Sequence, residues 1–223
     1  MPPVPLKGLY VILDAPASGG RSLLAILQEA AAAGAMLFQY RDKASPAGAV
    51  YRQAVRLRQA AADAGATFLV NDRCDLALAV EADGVHLGQQ DLPLSYARAL
   101  LGPEKIIGVS THRPAEVYAA TEGGADYLGF GPIFPTGTKP DHEPVVGIGG
   151  LQAIRPLTHL PIFAIGGITP GSVETVIRAG ADGVAVISGV VAAPDVADAV
   201  RAFMGPLPAA DRPARGSSDR RRA

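Results

Sequence analysis

Short apolar runs alternate with longer helix-favouring segments along most of the chain. Eight runs have the pattern of buried strands: Leu9–Leu13, Met36–Tyr40, Thr67–Val70, Gly84–Leu87, Lys105–Val109, Tyr127–Phe130, Ile162–Ile165 and Gly183–Ile187. Ala-rich segments lie between them, among them Arg21–Ala33, Pro46–Ala64, Pro114–Gly123, Pro170–Ala179 and Asp195–Phe203. Strands that are apolar on both faces and alternate with helices imply a parallel sheet that is covered by helices.

Eight such units in 223 residues predict a single (β/α)₈ TIM barrel over residues 1–205. The helices of the third and fourth units are the least convincing, because the segments between those strands are short. The competing architecture is an open doubly wound sheet, whose dinucleotide-binding form needs G-x-G-x-x-G after the first strand. Here the first strand is followed by DAPASGG (14–20), which does not match. Residues 206–223, rich in Pro, Ala and Arg, are expected to form a disordered tail.

Composition narrows the classes of function. The net charge is −1, and five arginines fall in residues 211–223, so the preceding part of the chain is mildly acidic. That part lacks the excess of basic residues that is typical of nucleic-acid-binding proteins. Cys74 is the one cysteine, which excludes an internal disulfide. The opening MPPVPLKGLY lacks the pattern of a signal peptide, and no apolar run approaches the roughly 20 residues that span a bilayer. We therefore expect a cytoplasmic protein without a membrane partner.

A barrel places its site at the carboxyl ends of the strands, and polar residues gather there in this sequence. Gln39, Arg41 and Lys43 alternate, so they share one face of an extended segment. Two cations and an amide suit a polyanion such as a diphosphate. The alternative is a solvated strand end with surface ion pairs. The segment GPIFPTGTK (131–139) adds two threonines and a lysine after the sixth strand.

Asp72 and Asp91 follow the third and fourth strands, so they are expected to be neighbours. One or two carboxylates together with substrate phosphates is the usual way to hold Mg²⁺. The alternative for Asp72 is a helix cap.

Gly166-Gly167 and Ser188-Gly189 follow the last two strands, where barrels often bind a phosphate; ordinary glycine turns are the alternative. His86 lies within a strand and is expected to pack or to support the site. His112 follows a strand end and is a candidate for ligand contact or proton transfer.

Taken together, these segments resemble the thiamine phosphate synthase family. The motifs occur in order and cover about residues 9–203: QYRDK (39–43), LVND (69–72), ADGVHLGQQDLP (82–93), IGVSTH (107–112), GADYLGFGPIFPTGTKPD (124–141), AIGGI (164–168) and AGADGVAVIS (179–188). The family's fold is a (β/α)₈ barrel, in agreement with the strand count.

The resemblance implies a transferase that joins 4-amino-2-methyl-5-(diphosphooxymethyl)pyrimidine to a thiazole phosphate, giving thiamine phosphate and diphosphate. Residues implied to bind the pyrimidine diphosphate are Gln39, Arg41, Lys43, Asn71, Ser110 and Lys139, with Tyr40 and Asp42 of the same motif. Residues implied for the thiazole phosphate are Thr136, Gly137, Thr138, Gly167, Ile187 and Ser188. Asp72 and Asp91 would hold Mg²⁺. Arg41, Lys43, Ser110 and Lys139 would be the catalytic residues, because departing diphosphate needs its growing charge neutralised.

Two other functions stay open at this point. A thiazole tautomerase on a related barrel would bind thiazole phosphate alone and use His112 for proton transfer. It has no evident need for the full diphosphate and metal set. A non-catalytic sensor of the same ligands would use the same binding residues. The sequence also leaves a homo-oligomer open.

Overall fold

The computed structural model describes residues 6–137 and 143–208, which form a closed barrel of parallel strands. The strands pair in chain order, and β8 closes onto β1. Their bounds are β1 Gly8–Asp14, β2 Leu37–Arg41, β3 Thr67–Asn71, β4 Gly84–Leu87, β5 Ile106–Thr111, β6 Tyr127–Phe130, β7 Ile162–Ile165 and β8 Gly183–Val186. The predicted (β/α)₈ barrel is confirmed.

Helices follow the strands and cover the outside of the barrel. Their bounds are α1 Leu23–Ala32, α2 Ala47–Asp63, α3 Cys74–Ala79, α4 Leu94–Leu101, α5 Pro114–Glu122, α6 Gly147–Ile154, α7 Val173–Arg178, α8 Ser188–Val191 and α9 Val196–Met204. Short 3₁₀ turns lie at Pro16–Ser18, Arg155–Leu157 and Pro170–Ser172. Ser22 and Asp195 cap α1 and α9 through their side chains, as helix starts of this kind require.

Helix α6 is not among the helical segments named in the sequence analysis. Helix α6 begins at Gly147 and contains Gly149 and Gly150, residues that disfavour helix in isolation. It forms because Leu151 and Ile154 are buried against the barrel, so tertiary packing overrides the local preference.

The apolar core has two layers. The larger layer lies between the strands and the helices. The smaller one fills the barrel interior with Tyr10, Ile12, Leu37, Leu69, Tyr127, Phe163, Ala185 and Ile187. Inside it, the rings of Tyr10, Tyr127 and Phe163 meet edge to face, with centroids 5.2–5.9 Å apart. This geometry suits the charge distribution of aromatic rings and fixes their positions.

Two glycines in the barrel wall make room for these rings. A Cβ atom at Gly108 would lie 2.0 Å from the Tyr127 ring, and one at Gly183 would lie 2.5 Å from the Phe163 ring. Both distances are far inside van der Waals contact, so the interior admits the large rings because the opposing wall positions lack side chains.

Three similar Arg–Asp ion pairs stabilise the amino-terminal end of the barrel. Asp83, Asp126 and Asp182 directly precede β4, β6 and β8. Each carboxylate accepts a backbone N–H from the preceding strand at 2.7–2.8 Å. Each also pairs with an arginine, in the pairs Arg58–Asp83, Arg98–Asp126 and Arg155–Asp182. The same arginines donate to nearby loop carbonyls.

The carboxyl-terminal boundary of the barrel differs from the prediction. Leu207 is 1% exposed and belongs to the main core, so packed chain continues beyond residue 205. Helix α9 ends at Met204, and the chain that follows it places the Leu207 side chain against the main core. The rest of the predicted tail, residues 209–223, lies outside the described residues. Among the helices that are described, none is long and apolar enough to cross a membrane.

Candidate active site

A cavity of about 550 Å³ opens at the carboxyl end of the barrel. Most of the residues singled out from the sequence line it, although they come from seven different strand ends. Those in the wall are Gln39, Arg41, Lys43, Asn71, Asp72, Asp91, Ser110, Thr136, Gly167, Ile187 and Ser188. The polar residues that follow the strands therefore line one cavity at the carboxyl end of the barrel.

Three of the predicted site residues, Tyr40, Asp42 and Gly137, lie outside the cavity wall. Tyr40 points between the strands and the helices, where it is 2% exposed, because side chains alternate along β2. Its hydroxyl donates to Asp42, whose other carboxylate oxygen accepts the N–H groups of Ala44 and Ser45 and so closes a turn. Gly137 is exposed at the end of its loop. Thr138 and Lys139 lie outside the described residues.

Arg41 is held by a buried carboxylate at the end of β1. Asp14, 3% exposed, forms an ion pair with the Arg41 guanidinium. Its other oxygen accepts the N–H of Ala17 at 2.9 Å, so it also anchors the first turn of the following loop. The pair directs a fixed positive charge into the cavity wall. Asp14 was not predicted as a site residue. It entered the sequence analysis only as part of DAPASGG (14–20), which does not match the dinucleotide-binding motif.

Asp72, Asp91 and Lys43 form a charged cluster at one side of the cavity. The Lys43 amine lies 2.8 Å from Asp72. Burial, with the Asp91 carboxylate beside it, raises the pKa of Asp72, and Lys43 opposes that change. Asp91 is held in place by the backbone N–H of Gly88 at 2.7 Å. The two carboxylates are neighbours, as the strand order requires.

The geometry does not support Asp72 as a helix cap. The residue that caps α3 is Arg73, and no side chain accepts a bond there. Asp72 itself has φ of +60°, in the left-handed region that few non-glycine residues adopt. Such a conformation is often retained where a side chain must be presented to a ligand.

The carboxylate pair has the composition of a magnesium site that the substrate completes. Within the described ranges no group of three or more His, Cys, Asp or Glu side chains could hold a metal. Mg²⁺ usually takes one or two carboxylates and completes its shell with water and phosphate oxygens. Burial first, and then the neighbouring Asp91 carboxylate, raise the pKa of Asp72, and a cation bound between the two carboxylates would favour their ionised forms.

A second group of polar side chains lies deeper, at the floor of the cavity. Gln39 is 2% exposed and donates from its amide nitrogen to the Tyr10 hydroxyl. His86 contacts Tyr127 through Nδ1 and Ser110 through Nε2. The prediction that His86 supports the site is in agreement with these contacts, while Tyr10 and Tyr127 were missed. The signal available was a tyrosine at or next to the start of each of two apolar runs, Leu9–Leu13 and Tyr127–Phe130.

The opposite side of the cavity combines an apolar wall with glycine loops. Ile12, Phe163, Ile165 and Ile168 line this side. Gly166 and Gly167 both have positive φ, and a Cβ at Gly167 would lie 2.5 Å from the Pro135 carbonyl oxygen. Only glycine fits this tight loop. Helix α8 begins beside it at Ser188, and Ser188 and Gly189 both line the cavity.

His112 and Gln89 shape the rim. His112 lines the cavity, and its Nδ1 bonds the carbonyl oxygen of Gly131, so the ring has a fixed orientation. The amide nitrogen of Gln89 donates to the carbonyl oxygen of Ser110 at 2.6 Å. The Gln89 contact joins the loop after β4 to β5, and the His112 contact joins the end of β5 to the end of β6.

Comparison with known proteins decides the family. The model of the family described as thiamine monophosphate synthase matches residues 9–190. The chain belongs to this family. It is 51% identical over 198 residues to a thiamine-phosphate synthase of Moorella thermoacetica, covering 89% of this chain and 94% of that one. It is 50% identical over 193 residues to that of Chloroflexus aurantiacus, covering 86% and 89%.

A solved structure supports the same assignment. Thiamine phosphate pyrophosphorylase from Pyrococcus furiosus superposes with a TM-score of 0.81 at 38% identity, and the match covers 90% of this chain and 95% of that one. The resemblance found in the sequence motifs is thereby confirmed. The matches extend over nearly the whole length of these synthases, so the family assignment applies to the barrel as a whole.

Proposed function

We propose that this protein is a thiamine-phosphate synthase, which joins the pyrimidine diphosphate to a thiazole phosphate and releases diphosphate. The observation that carries the proposal is the juxtaposition of Arg41 and Lys43 with the neighbouring carboxylates Asp72 and Asp91 in one cavity. Cations alone would suit any anion, but cations beside a carboxylate pair suit a diphosphate that arrives with Mg²⁺.

The diphosphate would occupy the charged side of this cavity. Arg41, fixed by Asp14, offers guanidinium N–H groups in a set direction, and Lys43 supplies a more mobile charge with a side chain 56% exposed. Asn71 stands beside them in the wall. Lys139 stays a predicted contributor, since it lies outside the described residues.

Asp72 and Asp91 are the residues that would hold Mg²⁺. When bound, the ion would neutralise negative charge that develops on the departing diphosphate. A synthase would therefore need the carboxylates ionised, and the Lys43 amine at 2.8 Å from Asp72 favours that form.

The chemistry then requires little covalent participation by the protein. The bond between the methylene carbon and the diphosphate oxygen breaks, and its electron pair leaves with the diphosphate. The electron-rich aminopyrimidine stabilises the resulting cation, and the thiazole nitrogen donates its lone pair to the same carbon. No proton has to move and no protein nucleophile is needed, so the residues act by orientation and by charge stabilisation.

The thiazole phosphate would occupy the opposite side. The ring would lie against the apolar wall near Ile12 and Ile168, and its phosphate would approach the loops at Gly167 and Ser188. Glycine loops and a helix start favour phosphate because backbone N–H groups can point at it closely. Ile187 and Thr136 complete this side.

The test is product formation by the purified protein from both substrates, with Mg²⁺ and with EDTA. Thiamine phosphate formed only with the metal would support the transferase and the assignment of Asp72 and Asp91. Equal product in EDTA would keep the transferase and remove the metal. Absence of product, despite binding of thiazole phosphate, would favour a tautomerase or a sensor over the synthase.

A further inference from the structure

A chain of hydrogen bonds crosses the floor of the cavity from β2 to β5. It links Gln39 to Tyr10 at 2.5 Å, Tyr10 to Tyr127 at 2.9 Å, Tyr127 to His86 at 2.8 Å and His86 to Ser110 at 2.9 Å. The members come from five different strands, and the two phenols and Gln39 are at most 2% exposed. The chain begins and ends at residues that line the cavity.

The direction of the protons along this chain follows from its first member. The Gln39 amide nitrogen can only donate, so the Tyr10 oxygen accepts that bond. The one proton of Tyr10 must then go to the Tyr127 oxygen, its other polar contact in the described part of the chain. The Tyr127 oxygen is now an acceptor, so its own proton goes to Nδ1 of His86.

The reverse direction would leave a buried proton unmatched. If His86 donated from Nδ1, Tyr127 would donate to Tyr10, whose oxygen would accept two bonds. The Tyr10 proton would then have no acceptor among its contacts, and an unmatched buried donor is costly. Burial also raises the pKa of Tyr10 and of Tyr127, so both phenols keep their protons.

The end of the chain sets the state of Ser110. With Nδ1 accepting, a neutral His86 carries its proton on Nε2 and donates it to the Ser110 oxygen at 2.9 Å. The hydroxyl proton of Ser110 is then available to an acceptor in the cavity. Gly108, opposite the Tyr127 ring, gives the ring the space it needs to reach His86.

We propose that Tyr127 is a positioning residue: through His86 it commits the Ser110 hydroxyl to donate to the pyrimidine diphosphate. This proposal rests on the proposed function for the identity of the substrate, but the state of His86 does not depend on it. Tyr127 lies beneath the cavity rather than in its wall, so its effect on the substrate passes through a neighbour, and the route proposed here runs through His86 to Ser110.

The first test is the tautomer of His86 in the unmodified protein, measured by ¹⁵N NMR on histidine-labelled protein without substrate. The four histidines are distinguished by comparison with His86→Asn. The expected result is a neutral ring with its proton on Nε2, and a shift towards mixed tautomers in Tyr127→Phe. A proton on Nδ1 in the unmodified protein would overturn the proposal. Because no substrate is present, this result is independent of the synthase activity.

The second test is a double-mutant cycle in the synthase assay. Tyr127→Phe should lower kcat/KM for the pyrimidine diphosphate by about tenfold, with KM for thiazole phosphate changed less than about twofold. If Tyr127 acts only through Ser110, adding Tyr127→Phe to Ser110→Ala should change kcat/KM by less than about twofold. Effects that multiply, or equal effects on both substrates, would contradict the proposal.

Thr111→Val provides a matched control. Thr111 is fully buried next to Ser110 on β5, and its hydroxyl donates to the Gly129 carbonyl oxygen at 3.1 Å, outside the chain of bonds. Its loss should lower the melting temperature as a buried hydroxyl deletion does, with kcat/KM unchanged within about twofold. A fall in kcat/KM like that of Tyr127→Phe would contradict the proposal, because it would mean that loss of any buried hydrogen bond near β5 lowers activity by destabilising the local structure.

Discussion

The two ends of the barrel use charged side chains in opposite ways. At the amino-terminal end, Asp83, Asp126 and Asp182 each have an arginine partner and a backbone N–H donor. At the carboxyl end, Asp72 has Lys43 on one side and a second carboxylate, Asp91, on the other. The first end is electrostatically satisfied within the protein, whereas the second holds like charges together.

The difference shows how one fold separates stability from activity. Each of these aspartates fixes two neighbouring strands in register, because it directly precedes one strand and accepts a backbone N–H from the other, while its arginine partner joins the pair to the outer layer. Like charges beside one another repel, and a bound cation offsets that repulsion by attracting both. The carboxyl end is therefore arranged for a complex and the amino-terminal end for the free protein.

The largest expected effect is the loss of activity in Lys43→Ala. Turnover should fall about a hundredfold, because a cation facing the departing diphosphate is removed. The free energy of unfolding should change by less than about 1 kcal/mol, since the side chain is 56% exposed. Steady-state kinetics and urea unfolding on the same preparation measure both. A large loss of stability with normal turnover would reverse the contrast between the two ends.

Arg98→Ala should show the opposite pattern. Arg98 bonds Asp126 and the carbonyl oxygens of Gly102, Lys105 and Gly124, so its removal should lower the free energy of unfolding by about 2 kcal/mol. Turnover below the unfolding temperature should be unchanged. The control is Arg178→Ala, which breaks an exposed pair with Glu174 and should cost less than about 0.5 kcal/mol. Equal costs for the two variants would argue against the structural role of Arg98.

Asp14→Asn sharpens the comparison, because Asp14 resembles the amino-terminal carboxylates but lies at the other end. Like them it bonds a backbone N–H and an arginine. The amide keeps an acceptor for Ala17 but loses the charge that holds Arg41. We expect kcat/KM for the pyrimidine diphosphate to fall about tenfold. In an Arg41→Gln background the substitution should have little further effect on kcat/KM; an undiminished effect there would show that Asp14 does not act through Arg41.

The smallest effect is a gain of stability in Asp91→Asn, measured in EDTA. The pKa of Asp72 is raised in the folded protein, so ionisation of Asp72 lowers stability above its unfolded pKa. Removing the neighbouring charge should raise the free energy of unfolding at pH 7 by about 0.5–1 kcal/mol. The gain should shrink as the pH falls through the raised pKa of folded Asp72 and vanish below about 3.9, where Asp72 is protonated in both states. Urea unfolding at several pH values measures it, and a loss of stability at pH 7 would contradict the repulsion.

Much of the fold could be predicted because it follows from local patterns. The bounds of β4, β6 and β7 agree with the apolar runs to the residue, since these runs are mainly apolar and each is directly followed by glycine. Helix α6 could not be predicted, because its glycines disfavour helix and its stability comes from packing. The sequences of α3 and α4 gave weak helical patterns because these helices are short, with 6 and 8 residues.

The candidate site was predictable only where its residues directly follow strands. Arg41, Lys43, Asp72 and Asp91 qualify, and the barrel brings them together in chain order. The partners behind them were missed, because contacts such as Asp14 with Arg41 depend on the register between strands. The chain through Tyr127 depends in addition on ring packing inside a closed barrel. Sequence spacing carries neither kind of information.

The space left by Gly108 has a consequence for how this sequence can change. The Tyr127 ring occupies the volume that a Cβ at position 108 would need, with 2.0 Å between the two atoms. An alanine at 108 is thus compatible only with a smaller or displaced side chain at 127. We expect positions 108 and 127 to vary together among homologues, so that recombining halves of two relatives between β5 and β6 would succeed only when both parents agree on this pair.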